Sequence, residues 1–287
     1  MAAVRRPEYP TEKSAEALRV LEKSAQRAID WLETSAEDID SALGLELKVA
    51  KLRCVLDPRA EEIGTWAAFF VAKEVGAALF ASASVSEGEE VNVQIAGKDM
   101  TLAATGPKSY ADASTWVETF WLAVICRDRH VITQLCNVPV SFLRECEPHQ
   151  DEYIYAWVES LQTYWLSGPG LGDKLVAAVD ACDPASVRMT PRDAALKLFY
   201  PPMNLFYRFV VEEHAEFNSA LTEALDWFRD YWTDEVDESR MMSVNGVIPL
   251  EVLGVACLAY DAQFPVEVES NYLPENLLKG AVPSMRA

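Results

Sequence analysis

The chain has 287 residues, half of them hydrophobic, and its 25 basic and 45 acidic side chains give a formal net charge of −20. That balance argues against nucleic-acid binding, where Lys and Arg must neutralise phosphates, and favours attraction to basic partners. The six cysteines (Cys54, Cys126, Cys136, Cys146, Cys182 and Cys257) are scattered, with no Cys-x-x-Cys pair, so free buried thiols are expected rather than a disulfide framework.

The N-terminus, Met1 to Pro7, is too short and polar for a signal peptide. The richest apolar run, 66–84, is broken by Lys73 and Glu74, short of the roughly 20 apolar residues of a membrane span. The expectation is a cytoplasmic protein that does not span a membrane.

A first helix is expected from Thr11 to about Thr34, because Leu18, Leu21, Ala25, Ala28, Ile29 and Leu32 recur at three- and four-residue steps. Ser35-Ala-Glu-Asp38 is close to a capping box and restarts the chain. The second helix carries Leu43, Leu47, Ala50 and Cys54 and stops at Asp57-Pro58, where the third begins and runs to about Ser84. Ala77, Ala78 and Ala81 would let that helix approach a neighbour closely. The period then changes. Val91, Val93 and Ile95 alternate with Asn92 and Gln94, and Ala96-Gly97-Lys98-Asp99 reads as a turn before Met100 and Leu102. One small β-hairpin near residues 91–102 follows, and it must pack on helices to persist.

Helical spacing resumes over 112–129 and again over 151–166, ended by Gly168-Pro169-Gly170. The Gly168 to Gly172 stretch follows a helix and lacks a Lys-Ser or Lys-Thr pair, so it reads as a helix-to-helix turn, not a phosphate loop. A short helix is expected over 171–182. Thr190-Pro191-Arg192-Asp193 offers a capping hydroxyl, a proline and a first-turn acid for the next one. Tyr200-Pro201-Pro202 is expected to break it. Further helices are expected over 203–211, 215–232 and 249–260, then an extended stretch over 264–269 and a last turn over 276–279. The fold class is therefore all-α: about ten helices in one domain spanning 1–287, as an irregular bundle or short solenoid-like helical hairpins, with one small hairpin.

No catalytic or metal motif stands out. His130, His149 and His214 are far apart and outside any His-Glu-x-x-His frame, and no Gly-x-Ser-x-Gly elbow is present. No cofactor and no enzyme activity are expected. The sharpest charge feature is Glu212 to Glu238, with ten acids against Arg229 alone. Glu212, Glu213, Glu216, Asp226, Asp230, Asp234, Glu235, Asp237 and Glu238 are the candidate partner-binding residues, either a plain solvated face or a surface that steers a basic protein. The aromatics crowding the second half are expected to fill the core mainly, and any left exposed beside the acids would suit a protein contact.

Several stretches resemble the immunity 49 family of bacterial polymorphic toxin systems. These are Phe120-Trp-Leu-Ala-Val-Ile-Cys-Arg127, Tyr153-Ile-Tyr-Ala-Trp-Val158, Leu161-Gln-Thr-Tyr-Trp165 and Pro169-Gly-Leu-Gly-Asp-Lys-Leu-Val-Ala-Ala178. Tyr200-Pro-Pro-Met-Asn-Leu-Phe-Tyr-Arg-Phe209, Phe217-Asn-Ser-Ala-Leu221, Ala256-Cys-Leu-Ala259 and Phe264-Pro-Val-Glu-Val-Glu-Ser270 continue the series. The resemblance implies a mostly helical protein that binds a cognate toxin in the cytoplasm and so protects the producing cell. It carries no catalytic motif. The rival reading is a helical enzyme or small-ligand protein with a pocket lined by aromatics and Arg208 or Arg127, motivated by the polar groups within Asn204-Leu-Phe-Tyr-Arg208.

Overall fold

The computed structural model describes residues 3–234, 238–241 and 243–283. It is 64% helical with 6% strand, the mostly α fold with a small hairpin that the periodicity predicts. The trace divides into two compact units. One spans residues 9–148, and the other spans residues 149–281 together with the N-terminal strand β1 (Ala3–Val4).

In the first unit α1 (Thr11–Trp31), α2 (Ile39–Leu56) and α3 (Ile63–Ala83) pack each on the next in sequence. The face of α1 that the spacing picks out is the buried one, with Leu18, Ala25 and Ile29 inside. The expected capping box does not form. Residues 36–38 make a single 3₁₀ turn and Ser35 gives no side-chain cap. Asp38, the acid the box requires, instead accepts the Trp31 indole N–H at 3.2 Å.

α3 starts five residues later than Pro58. The buried Asp57 carboxylate accepts the Glu61 and Glu62 N–H groups, each at 2.9 Å, and the Thr65 hydroxyl at 2.7 Å. Those bonds hold residues 58–62 as a turn, with Ala60 left-handed at φ 54°. α3 is buried nearly all round. It meets α4 (Ala113–Ile125) closely at Gly76, where a Cβ would lie 2.6 Å from Thr119 Oγ1.

The hairpin β2 (Glu90–Ile95) and β3 (Lys98–Ala103) is antiparallel, with Val93 opposite Met100 and Ile95 opposite Lys98. Only Ala96 and Gly97 form its turn, both left-handed at φ 53° and 74°, as a two-residue type I′ turn requires. Ile95, Met100 and Leu102 are buried, and β2 packs on α3.

The helix expected over 112–129 is two helices. Arg127 is left-handed at φ 56°, which ends α4, and Asp128 caps α5 (Arg129–Cys136) by accepting the Val131 N–H at 3.1 Å. Buried Lys73 reaches the same carboxylate at 2.8 Å, so that cap is tied to α3. After Pro139, α6 (Val140–Cys146) completes the run.

In the second unit α7 (Glu152–Trp165) packs on α8 (Leu171–Ala181) across the expected glycine turn, where Gly168 N–H donates to Thr163 O at 2.8 Å. Before the next helix, Thr190 does not cap. Its hydroxyl pairs with the Tyr153 hydroxyl at 3.3 Å. Asp151 accepts the backbone N–H groups of residues 188–190, at 2.7 Å from Arg188 and from Thr190.

Tyr200-Pro201-Pro202 does not break the chain. Helical backbone runs through α9 (Arg192–Ala194), a π-turn over Ala195–Phe199 and α10 (Tyr200–Val210), with the prolines in the first turn of α10. A proline ring inside a helix collides with the carbonyl four residues back. The wider π-turn covers Lys197 and Leu198, where those collisions would fall.

α11 (His214–Trp232), α12 (Glu238–Met241) and α13 (Leu250–Asp261) follow. Of the stretch expected to be extended, only β4 (Glu269–Ser270) is a strand, and it pairs in parallel with β1, a contact that periodicity does not foretell. α14 (Glu275–Lys279) closes the unit.

Two helical stretches, 63–83 and 244–261, do reach membrane-crossing length and hydropathy, even with Lys73 and Glu74 inside the first. They are 61% and 67% buried within the protein, as core helices are. All six cysteines are free and buried.

Candidate partner-binding surface

α11 carries most of the acids of the Glu212 to Glu238 segment, and its sequence explains how it sits. Phe217, Ala220, Leu221, Ala224, Leu225 and Phe228 recur at three- and four-residue steps and are all buried, where α11 packs on α10 and α13. The opposite side must then face solvent. Glu216, Ser219, Glu223 and Asp230 are exposed there, with Trp227 half-buried among them. Glu223 lies in the same stripe as the candidate acids, seven residues from both Glu216 and Asp230. Helical spacing alone could have added it.

The other candidate acids are placed differently from one another. Glu212 and Glu213 sit in the tight link between α10 and α11. Glu212 is left-handed at φ 59°, and Glu213 N–H donates to Arg208 O at 3.0 Å. Glu213 also forms a salt bridge with the Arg208 guanidinium, which raises the Arg208 pKa, chiefly through that hydrogen bond. Asp226 and Asp230 share Arg229, at 2.7 and 2.9 Å. Asp234 is half-buried beyond the end of α11. Glu235 and Asp237 lie outside the described residues, as does the side chain of Glu238. Sequence adjacency therefore overstated the free charge, because both arginines in this region are already taken by acids.

The aromatics divide as expected. Trp157, Phe206 and Phe217 are fully buried, with the Trp157 indole donating to Glu251 Oε2 at 3.1 Å. A minority reaches the surface. Tyr207 is 36% exposed, and the half-buried rings of Tyr200 on α10 and Trp227 on α11 lie 6.4 Å apart. A shallow depression lined by Ser219, Thr222, Glu223, Asp226 and Trp227 opens beside that pair.

Over residues 57–277 the sequence matches the family described as Immunity protein 49. The chain belongs to the immunity protein 49 family. No curated protein and no solved structure matches it. The matched span begins at Asp57, the residue that holds the turn before α3, and ends within α14. It takes in the whole of α10 and α11 and leaves α1 and α2 outside.

Among the described residues, the histidines and cysteines do not gather into a cluster. His130, His149 and His214 are exposed and separate in sequence, and among the described residues no three His, Cys, Asp or Glu side chains are placed to hold a metal ion. Burial pushes the Cys136 and Cys182 thiols up to about 12, the wrong direction for a nucleophile. The two arginines of the ligand-pocket reading are engaged within the protein. Arg208 binds Glu213 and lies over the Tyr207 ring at 5.5 Å, and Arg127 donates to Ile125 O at 2.7 Å. What the α10–α11 surface can offer is shape, aromatic area and negative charge, which are the means of protein recognition.

Proposed function

We propose that this chain is an immunity protein that binds a cognate bacterial toxin domain in the cytoplasm and neutralises it by direct contact, without catalysis, so protecting the producing cell. The observation that carries the reading is the family match over residues 57–277. The net charge of −20 supports a basic toxin surface, since opposite charge raises association rates and suppresses wrong partners. The acids of 212–238 are the proposed contact region.

The test is genetic and physical at once. The toxin domain encoded beside this gene is expressed in a sensitive host with and without the chain, and the two purified proteins are mixed and passed over a sizing column. Rescue of growth together with a stable complex is expected. Growth arrest despite co-expression, with no complex at micromolar concentration, would sink the proposal.

A further inference from the structure

The outward strip of the α10–α11 helical pair looks like a docking surface with two parts. Tyr200 and Tyr207 are seven residues apart and so share one face of α10. Trp227 meets Tyr200 across the helix pair at a ring separation of 6.4 Å. At the other end Arg208 lies over Tyr207, forms a salt bridge with Glu213 and feels the charge of Glu216. These two cross-links place the α10 aromatics alongside the α11 stripe as one continuous strip.

Its charge decides the occupant. Arg208 and Arg229 are held by Glu213 and by Asp226 and Asp230. Glu216 and Glu223 are exposed and, among the described residues, take part in none of the salt bridges of this region. A partner seated on this strip therefore meets partly exposed aromatic surface flanked by acids that no salt bridge ties down. Buried aromatics at the centre of a contact carry most of its affinity, while rim charges act mainly on the association rate.

We infer that the α10–α11 strip is where the toxin docks, with Tyr207 and Trp227 as the anchors and Glu216 and Glu223 steering a Lys/Arg-rich surface of the toxin onto them. This rests on the proposed function and deepens it by assigning separate roles to separate residues.

The probe is the toxin domain encoded beside this gene, inactivated in its catalytic residue, and binding is followed by stopped flow with the full-length chain. Tyr207→Ala and Trp227→Ala should each speed dissociation by about tenfold or more, with association nearly unchanged. Trp227 is partly buried, so Tyr207→Ala, at an exposed position, keeps the test decisive if Trp227→Ala melts early. The double variant Glu216→Gln/Glu223→Gln should slow association severalfold in 20 mM salt, by an amount that vanishes near 0.5 M, where the screening length is on the order of 4 Å. Arg19→Gln/Lys23→Gln on α1 is the control and should leave both rates alone.

If the wild-type chain binds and all strip variants bind like it, the docking surface lies elsewhere and the proposed function stands. If the wild-type chain does not bind, both fall together.

Discussion

Glu46 gives the most direct test of the energetics. Its side chain lies buried on α2, only 6% exposed. Burial, with Glu22 on α1 adding repulsion, pushes its carboxyl up to about 7. The folded chain then holds a proton on Glu46 that the unfolded chain releases near pH 4.5. Between those two values the folded state binds more protons, so the stability from this group is complete below pH 4.5, falls as pH rises and levels off above 7. Each tenfold difference in proton affinity between the folded and unfolded chain is worth about 1.4 kcal/mol, so the loss from pH 5 to pH 8 is about 2–3 kcal/mol. Glu46→Gln keeps the shape of the protonated acid and removes the titration. Urea midpoints of the full chain, followed by far-UV circular dichroism at pH 5 and pH 8, should be similar for the two proteins at pH 5. At pH 8 they should separate, with the variant the more stable. Parallel pH curves for wild type and variant would mean that Glu46 is not desolvated in solution and would refute the reasoning.

Three further substitutions probe how the helices are joined. Gly76→Ala places a Cβ 2.6 Å from Thr119 Oγ1 and 2.7 Å from its Cγ2, and overpacking of that kind costs about 1–3 kcal/mol; a lowered melting temperature, partly restored by adding Thr119→Ala, which removes both atoms, is the expected result. Asp57→Ala removes the acceptor of two N–H groups and one hydroxyl at the start of α3 and should cost about 2 kcal/mol or more in urea unfolding. Ala96→Asn turns Ala-Gly into Asn-Gly at two left-handed positions and should stabilise the hairpin by about 0.5–1 kcal/mol, read as slower amide exchange in β2 and β3.

Helix identity was legible because burial imposes a period, and boundaries were not, because they depend on single bonds. The inner face of α1 could be read from Leu18, Ala25 and Ile29 alone. Its successor could not. Ser35 and Asp38 spell a capping box, but Trp31, seven residues before the acid, takes it. Arg127 shows the same limit from the other side. No glycine or proline marks the break between α4 and α5, and it is held by Asp128 capping α5 while Lys73 reaches in from α3. The proline pair at 201–202 misled in the opposite direction. Local rules say that it ends a helix, whereas a π-turn upstream lets the chain continue. The pairing of β1 with β4 joins residues more than 260 positions apart, which no local pattern can signal.

The acidic segment shows how charge read along a chain differs from charge on a surface. Counting from Glu212 to Glu238 gives ten acids and one base, as though the region were uniformly negative. In space the count breaks up. Glu213 is answered by an arginine outside the counted window, and Arg229 answers two acids at once. A surface acid already paired with an arginine adds little net potential, so its contribution to steering is small. On α11 itself, Glu216 and Glu223 form no salt bridge among the described residues and are therefore worth more to an approaching basic partner than the denser cluster beside Arg229. Both lie on the one side of α11 that its buried apolar residues cannot occupy. The same geometry brings Trp227 between Glu223 and Asp230 and sets Tyr200 against it. Neither ring has any special place in the charge pattern. The docking role proposed for the α10–α11 strip rests on this conjunction of exposed acid and accessible aromatic, and it arises only once the helix pair has formed.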